Sequence, residues 1–464
     1  MANIYQGGSI FISGINKQIG GIENHSIDDH IDIDTTNKNN NTSLFYDSST
    51  GKFKYEKAQK IIDEDTEVVI GSGGDFADIY EFQNWISNYR IHSEATVTAK
   101  IRGKHQLDET VYWNHPDGRR IILEGENHFD ISIVNFNNIS GSAGNWTVIV
   151  SIDDPTNIET GDIILIHKLT DITNTRATMY LGGFRIINIS GNQVTFVIKH
   201  NYNIFATGYA SGASATILKD GLFMVDNTMN IISVAENSGL NIKYIGFWNG
   251  SRIYIRDSWL SVEKSVITEM NDKPLVLINA IGILKNGVSL TNNGYNVYIS
   301  ENSKVDSYVD DGITGWSFIT NGSQYSTAIT LEKNSYGNFF DIIIYGNGSS
   351  NAFPIRSNSC VFLENSNIKF NKGYGLVAYK ETDLYINNCD ISFNDGGVQL
   401  NQLSTIRLAN LTNITNNTNI GINAENLSFV EKSNWSGEVA NNGTNYSPAK
   451  GTWGNGYSYI QILD

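Results

Sequence analysis

Proline is nearly missing from this 464-residue chain, at 5 residues, and cysteine stands at 2. The spacing of Cys360 and Cys389 suits neither a disulfide framework nor a zinc site. Histidine is absent after His200, so the second half holds no His-based nucleophilic triad and no His metal site. Basic residues number 32 against 48 acidic ones, a formal charge of −16. That balance argues against nucleic acid as a partner and against anionic membrane surfaces. No apolar run approaches the roughly 18 residues that a membrane-spanning helix needs, so none is expected. The opening stretch, MANIYQGGSIFISGIN, has no basic segment followed by an apolar one, so no signal peptide is expected. Synthesis in a cytoplasm with release by another route follows, and the Asn-x-Ser/Thr triplets read as composition. Phosphate-binding GxxxxGK[ST] loops are absent too.

Turn formers and β formers are plentiful: 43 Gly, abundant Asn, 23 Tyr, 20 Phe and 8 Trp, within 40% hydrophobic residues. Such a chain is too apolar for disorder and suited to strands and tight turns. One phrase returns through the second half: ISVAENS at 232–238, SVITEMN at 265–271, VYISENS at 297–303, AITLEKN at 328–334 and CVFLENS at 360–366. Its glutamates, Glu236, Glu269, Glu301, Glu332 and Glu364, recur at a nearly constant spacing. The period then tightens, and Ile368, Ile391 and Ile414 recur at an equal but shorter step. A fixed period built from strands and polar turns is the signature of a solenoid. The expectation is an all-β, right-handed parallel β-helix with the glutamates stacked at one turn. Early coils of the longer period would bulge as loops at 256–264, 308–318 and 345–359.

Five regions follow. Residues 1–66 form a head containing the polar linker DTTNKNNNTS and the strand–turn–strand piece LFYDSSTGKFKYEKAQ. Residues 67–140 hold an amphipathic helix and the first coils. Phe76, Ile79, Phe82, Ile86 and Tyr89 make its apolar stripe, Asp75 is the expected N-cap, and Asp78 takes the capping-box position. This helix would cover the open end of the first coil. Residues 141–220 break the rhythm with compact strands and a hairpin at SGNQ, and predict a small inserted antiparallel β subdomain. Residues 221–435 are the main solenoid. Residues 436–464, rich in Gly and aromatics, make an end cap or subunit contact.

The order GGDFADIYEFQNWISNYR, ATVTAKIRGKHQ, VYWNHPDGRRIILEGEN, preceded by LFYDSSTGKFKYEKAQ, resembles the leading region of bacteriophage and prophage tail-spike proteins. The resemblance covers about residues 44–130 plus the repeat. It implies a right-handed parallel β-helix that forms a homotrimer, attaches to the phage tail or baseplate through its N-terminal region, and sits in the virion tail. It further implies binding and depolymerisation of a bacterial surface polysaccharide; from the residues themselves, no cofactor and no metal are expected.

Glycosidic bond cleavage needs two carboxyl groups, one as general acid and one as base or nucleophile. The sharpest pair is Asp310–Asp311, on the loop YVDDGITGWSF between Tyr308 and Trp316. The alternative is a solvated Asp–Gly turn. The polygalacturonase family also uses an adjacent Asp pair, but its Gly-His-Gly and Arg-Ile-Lys motifs are missing here. The repeated glutamates read mainly as turn residues; Glu301 and Glu332, flanking the Asp310–Asp311 loop, keep a catalytic reading, followed by Glu269 and Asp306. Trp248, Trp259, Tyr308, Trp316 and Tyr345 are candidate sugar platforms, and Arg256 and Arg356 candidate partners for an acidic sugar. Two other chemistries stay open: a non-catalytic adhesin of the same fold, and a polysaccharide lyase.

Overall fold

The computed structural model describes residues 60–447 except 143, 171–179, 200–211, 226–227, 236, 294–296, 309–316, 322–326 and 346–350. Short strands within residues 2–57 and at 459–460 are described as well. The chain divides into two compact units, Met1–Ile61 and Ile62–Asp464. In the first, Ala2–Tyr5 pairs with Ser9–Ile12, and Thr42–Asp47 with Lys52–Lys57, both antiparallel.

The second unit is a right-handed parallel β-helix. Three parallel sheets run its length: sheet A of 13 strands, and sheets B and C of 11 each. The chain visits them in the order A, B, C, so each circuit is one coil. Alternation explains the strands. Lys304–Tyr308, for instance, buries Val305 and Ser307 and turns Lys304, Asp306 and Tyr308 outward. In-register pairing stacks the inward residues into columns; Ile242, Val262, Leu284, Ser307, Phe339, Leu363, Ile386 and Leu408 form one of them.

The coils are shorter than the glutamate spacing predicts. Gly239, Trp259, Ile281, Lys304, Tyr336, Cys360, Asp383, Thr405 and Phe429 begin successive sheet A strands at a short, nearly even step. The one long step lies between Lys304 and Tyr336. The repeated glutamates therefore do not form one column. Glu269 follows a sheet B strand, Glu301 and Glu332 follow sheet C strands, and Glu364 ends a sheet A strand. Glu236 lies outside the described residues. From Glu269 to Glu301 and from Glu332 to Glu364 the phrase spans one coil plus part of the next and so changes corner, whereas from Glu301 to Glu332 it spans the single long coil and stays at the same one. The expected loop at 256–264 is mostly the sheet A strand Trp259–Glu263, and that at 345–359 contains the sheet C strand Phe353–Arg356.

Every corner needs backbone in the left-handed region. Asn365, Asn388, Asn410 and Asn434 take it between sheets A and B, with φ from 46° to 51°, because asparagine tolerates that conformation better than other side chains with a Cβ. Inside the corner between sheets B and C runs a second, buried ladder. The Asn394 backbone N–H donates to Asn417 Oδ1 at 3.0 Å, and Asn417 Nδ2 donates to Ile391 O at 3.1 Å and Asn442 Oδ1 at 2.9 Å. Asn394 and Asn417 are 0% and 2% exposed. Buried amides are tolerable only when donor and acceptor are both satisfied, and identical stacked amides achieve this rung after rung.

The helix, α1, spans Ile79–Ile86 and buries Ile79, Phe82 and Ile86 against the first coil. Phe82 stacks on Trp113 with ring centroids 6.2 Å apart. Its N-cap is Asp78, whose Oδ1 accepts from the Tyr80 and Glu81 N–H groups at 2.9 Å. Asp75, the expected cap, instead accepts from the Val69 N–H at 2.8 Å and secures the preceding turn. The docked helix covers the apolar end of the solenoid that would otherwise face water.

Between the sheet A strand Ile121–Gly125 and the sheet B strand Leu222–Val225 the chain leaves the solenoid to build a closed six-stranded antiparallel barrel, His128–Leu218. Its first strand starts before residue 141, within the stretch that sequence reasoning assigns to the early coils. The barrel lies on the outer face of sheet B. The Gly183 N–H donates to Ser289 Oγ at 2.7 Å, Thr291 Oγ1 donates to Gly183 O, and Lys199 N–H donates to Asn292 Oδ1 at 2.8 Å. Gly183 is required there: a Cβ would run into the Val266 side chain.

Candidate functional site

Asp310, Asp311 and Trp316 lie in residues 309–316, outside the described residues, as does the Tyr345 side chain. In the sequence they fall between the sheet A strand ending at Tyr308 and the sheet B strand beginning at Ser317, within the longest coil step. Tyr308 closes the preceding sheet A strand with the Lys285 ammonium 5.7 Å from its ring centre. Asp306 points outward two residues earlier, paired with Lys304 at 2.9 Å, and its Oδ1 is buried without a hydrogen bond.

Several candidates have other work. Trp248 is 7% exposed and packs with Ile163, Leu165, Leu218 and Val266 where the barrel meets sheet B. No open ring face remains there for a sugar, so the platform expectation fails at this residue. Glu269 sits at the same junction, 3.2 Å from Arg185 of the barrel, in a left-handed turn of φ 55°. Trp259 is half-buried on sheet A beneath the Arg119 guanidinium, 5.7 Å from the ring centre. Arg256 is exposed beside Asp257 at 3.6 Å.

Three candidates do meet, at the corner between sheets C and A. Leu331 pairs with Ile355, so Glu332 and Arg356 are the next residues on adjacent strands. Arg356 pairs in register with Tyr379, its guanidinium 6.0 Å from that ring centre. Glu332 Oε1 accepts the Tyr298 O–H at 2.6 Å. Burial first, and the hydrogen bond to Glu332 second, push the Tyr298 hydroxyl above its ordinary value, so it stays a donor. Glu301, on the neighbouring turn, accepts from Lys333 Nζ at 3.0 Å.

Beyond the strands, from Glu301 onward, the chain turns through two consecutive left-handed residues per coil, where Asp257 and Asn279 on the earlier coils stand alone. These are Glu301–Asn302, Lys333–Asn334, Lys380–Glu381 and Gln402–Leu403, with φ from 56° to 63°, and Ser357–Asn358 at 57°. Backbone bonds knit them: Asn334 N–H donates to Ser357 O at 3.0 Å, and Asn358 N–H to Lys380 O at 2.9 Å. The paired bend throws both side chains of each turn outward. Lys333, Asn334, Ser357, Asn358, Lys380, Glu381, Gln402 and Leu403 thereby line a shallow groove of about 540 Å³ that crosses four coils. Sequence reasoning missed these residues and Tyr298 and Tyr379. Their signal was the even spacing of Lys333, Ser357, Lys380 and Gln402 at the short coil step, which the longer glutamate period obscured.

One further carboxyl was missed. Asp341 occupies the corner between sheets A and B, in a left-handed turn of φ 51°, on the coil after Tyr308. Burial raises its pKa above the ordinary carboxylate value, against the opposing hydrogen bond from Asn365. Among the described residues no group of three His, Cys, Asp or Glu side chains has metal-holding geometry.

No protein-family model matches the chain, and no curated protein matches it. Among solved structures, the Gp54 tailspike of Acinetobacter baumannii bacteriophage AP22, solved in complex with A. baumannii capsular saccharide, is similar to this chain at 12% identity. The match covers 80% of this chain and 73% of that one, with a TM-score of 0.27.

Proposed function

We propose that this chain is a phage tail spike that binds a bacterial surface polysaccharide and cleaves it by carboxylate-catalysed hydrolysis. The groove along the corner of sheets C and A carries the binding part of this reading. It is long, shallow, rich in amides and ammonium groups, and flanked by Tyr379 and the Tyr298–Glu332 pair. An extended polymer of polar rings suits such a surface better than a compact metabolite, which prefers an enclosed pocket. Glu332 is the carboxylate we assign to chemistry at the groove, with Tyr298 orienting it. Asp310 and Asp311, on the longest coil, are the proposed partner acids.

A second reading, a non-catalytic adhesin, draws on a specific observation. Glu301, Asp306 and Glu269 are each held in an ion pair, by Lys333, Lys304 and Arg185. A carboxylate so engaged is poorly placed to give or take a proton. Purified protein incubated with host capsule, with reducing ends followed over time, separates the two. Hydrolysis predicts steady release that Glu332→Gln or the Asp310→Asn/Asp311→Asn pair reduces about 100-fold or more while binding persists. Binding without release favours the adhesin, and absorbance from an unsaturated uronate points to a lyase.

A homotrimer belongs to the same proposal. The outer face of sheet A carries Ile281, Tyr336 and Phe429, each 38–39% exposed, beside Phe362 and Tyr385 stacked at 4.6 Å. Three such faces turned inward would remove this aromatic strip from water. A monomer by light scattering at micromolar concentration refutes it. Attachment to the virion through residues 1–66 completes the reading.

A further inference from the structure

Whether a polysaccharide-binding groove prefers a neutral or a charged polymer depends on which of its charges lack partners. At this corner Glu301 is paired with Lys333. Arg356 and Lys380 are different. Both are exposed, and among the described residues neither has a carboxylate within ion-pair distance. They stand on adjacent coils: Arg356 pairs in register with Tyr379, and Lys380 is the next residue. Tyr379 lies beneath the guanidinium, which keeps that planar fork spread over the ring instead of swinging into solvent. Lys333 and Lys380 fall two rungs apart on the same side of the groove, roughly 9.6 Å at the strand spacing of a parallel sheet. On a chain of net charge −16, two adjacent cations engaged in no ion pair among the described residues are available to a ligand, although Glu381 and Glu332 stand close to them in the same corner.

We infer that the polymer taken by this groove is anionic, bearing carboxylate or phosphate oxygens that Arg356 and Lys380 bind directly. This rests on the proposal that the groove binds polysaccharide, and it adds the charge class of that ligand. The negative remainder of the surface then contributes selectivity, since an anionic chain finds unpaired cations at Arg356 and Lys380, and Glu381 beside Lys380 limits how closely a second anionic group can follow. Ser357 and Asn358, between the two cations in the groove lining, supply neutral donors to ring hydroxyls.

The test uses the full-length protein and a panel of purified bacterial capsular polysaccharides of known composition, neutral and acidic, with carboxyl-reduced samples of each uronate-bearing member. Binding is read by biolayer interferometry at low salt and again at several-fold higher salt. The expected result is binding confined to anionic members, weakened about tenfold or more by the higher salt and abolished by carboxyl reduction where carboxylates carry the charge. Arg356→Gln and Lys380→Gln should each raise Kd about fivefold to tenfold with an unchanged melting profile, and Arg356→Lys should recover only part of the loss. Lys219→Gln, in the ion pair with Glu159 on the barrel, should leave Kd unchanged. Tight binding of a neutral polysaccharide that neither groove substitution weakens overturns the charge assignment and leaves polysaccharide binding standing. Failure of every panel member to bind overturns both.

Discussion

Replacing Asn417 by alanine tests how much of the solenoid depends on amides buried inside it. Asn417 Oδ1 is the acceptor for the Asn394 N–H, and Asn417 Nδ2 donates to Ile391 O and Asn442 Oδ1. Alanine leaves the Asn394 N–H, on a fully buried residue, without that acceptor. An orphaned buried donor costs ~1–3 kcal/mol, and the two remaining lost bonds ~0.5–1.5 kcal/mol each. The sum is roughly 2–6 kcal/mol of local stability, and even its lower bound accelerates amide exchange about 30-fold. Stability in a solenoid is carried between neighbouring coils, so acceleration should concentrate in coils touching residue 417. Native-state hydrogen exchange by mass spectrometry reads this without requiring reversible unfolding of a long chain. Asn416→Gly is the matched control. It removes a neighbouring amide from a left-handed position of φ 55° that glycine accepts, and should change stability by less than ~1 kcal/mol. Less than threefold acceleration around Asn394 in Asn417→Ala, or equal acceleration in Asn416→Gly, refutes the reasoning.

Other outcomes follow from the same geometry. His115 Nδ1 accepts the Asp117 N–H at 3.1 Å while Nε2 faces the carbonyls of Ile86 and Tyr89 at 3.2 and 3.1 Å, and burial lowers its pKa. Its contribution is therefore complete above the unfolded value of ~6.5 and lost as pH falls below it; melting from pH 8 to 5 should fall less steeply in His115→Gln. Gly183→Ala should loosen the barrel from sheet B by ~1–3 kcal/mol, because its Cβ meets Val266, and Val266→Ala should restore protection from limited proteolysis in the double variant. Cys389, buried and pushed up to about 12 by desolvation, should resist maleimide in the native protein. Cys360, half-buried on the outer face of sheet A, should label slowly in a monomer and be protected in a trimer packed through that face.

The strands were legible in the sequence; their grouping into coils was not. Ile368, Ile391 and Ile414 carry the true coil step, and each pairs in register with the next. The glutamate phrase misled because all three corners pose the same backbone problem. An apolar strand must end in residues tolerating the left-handed region, and Glu269, Glu301 and Asn365 meet that demand at three different corners. Similar chemistry thus recurred out of phase with the coil. The groove was hidden for the same reason: Lys333, Ser357 and Lys380 align only under the shorter period. Trp248 looked like a platform because nothing local announces the barrel that covers it. Asp78, given a secondary role beside Asp75, proved to be the cap because α1 begins later than the apolar stripe suggests.

The barrel's attachment has a consequence for how such a chain can be rearranged. Its first and last strands lie side by side, His128 opposite Leu218 and Phe129 opposite Ile217, so the whole insertion enters and leaves through one doorway. To the coil, that doorway is a corner of ordinary width, and a short turn could join Gly125 to Leu222 without disturbing register. The wall beside it is less forgiving. Trp248 and Val266 are finished as interior surface, so a graft at this point must bring its own roof or leave the wall exposed to neighbouring molecules. The cassette is portable at its hinge and committed along its flank.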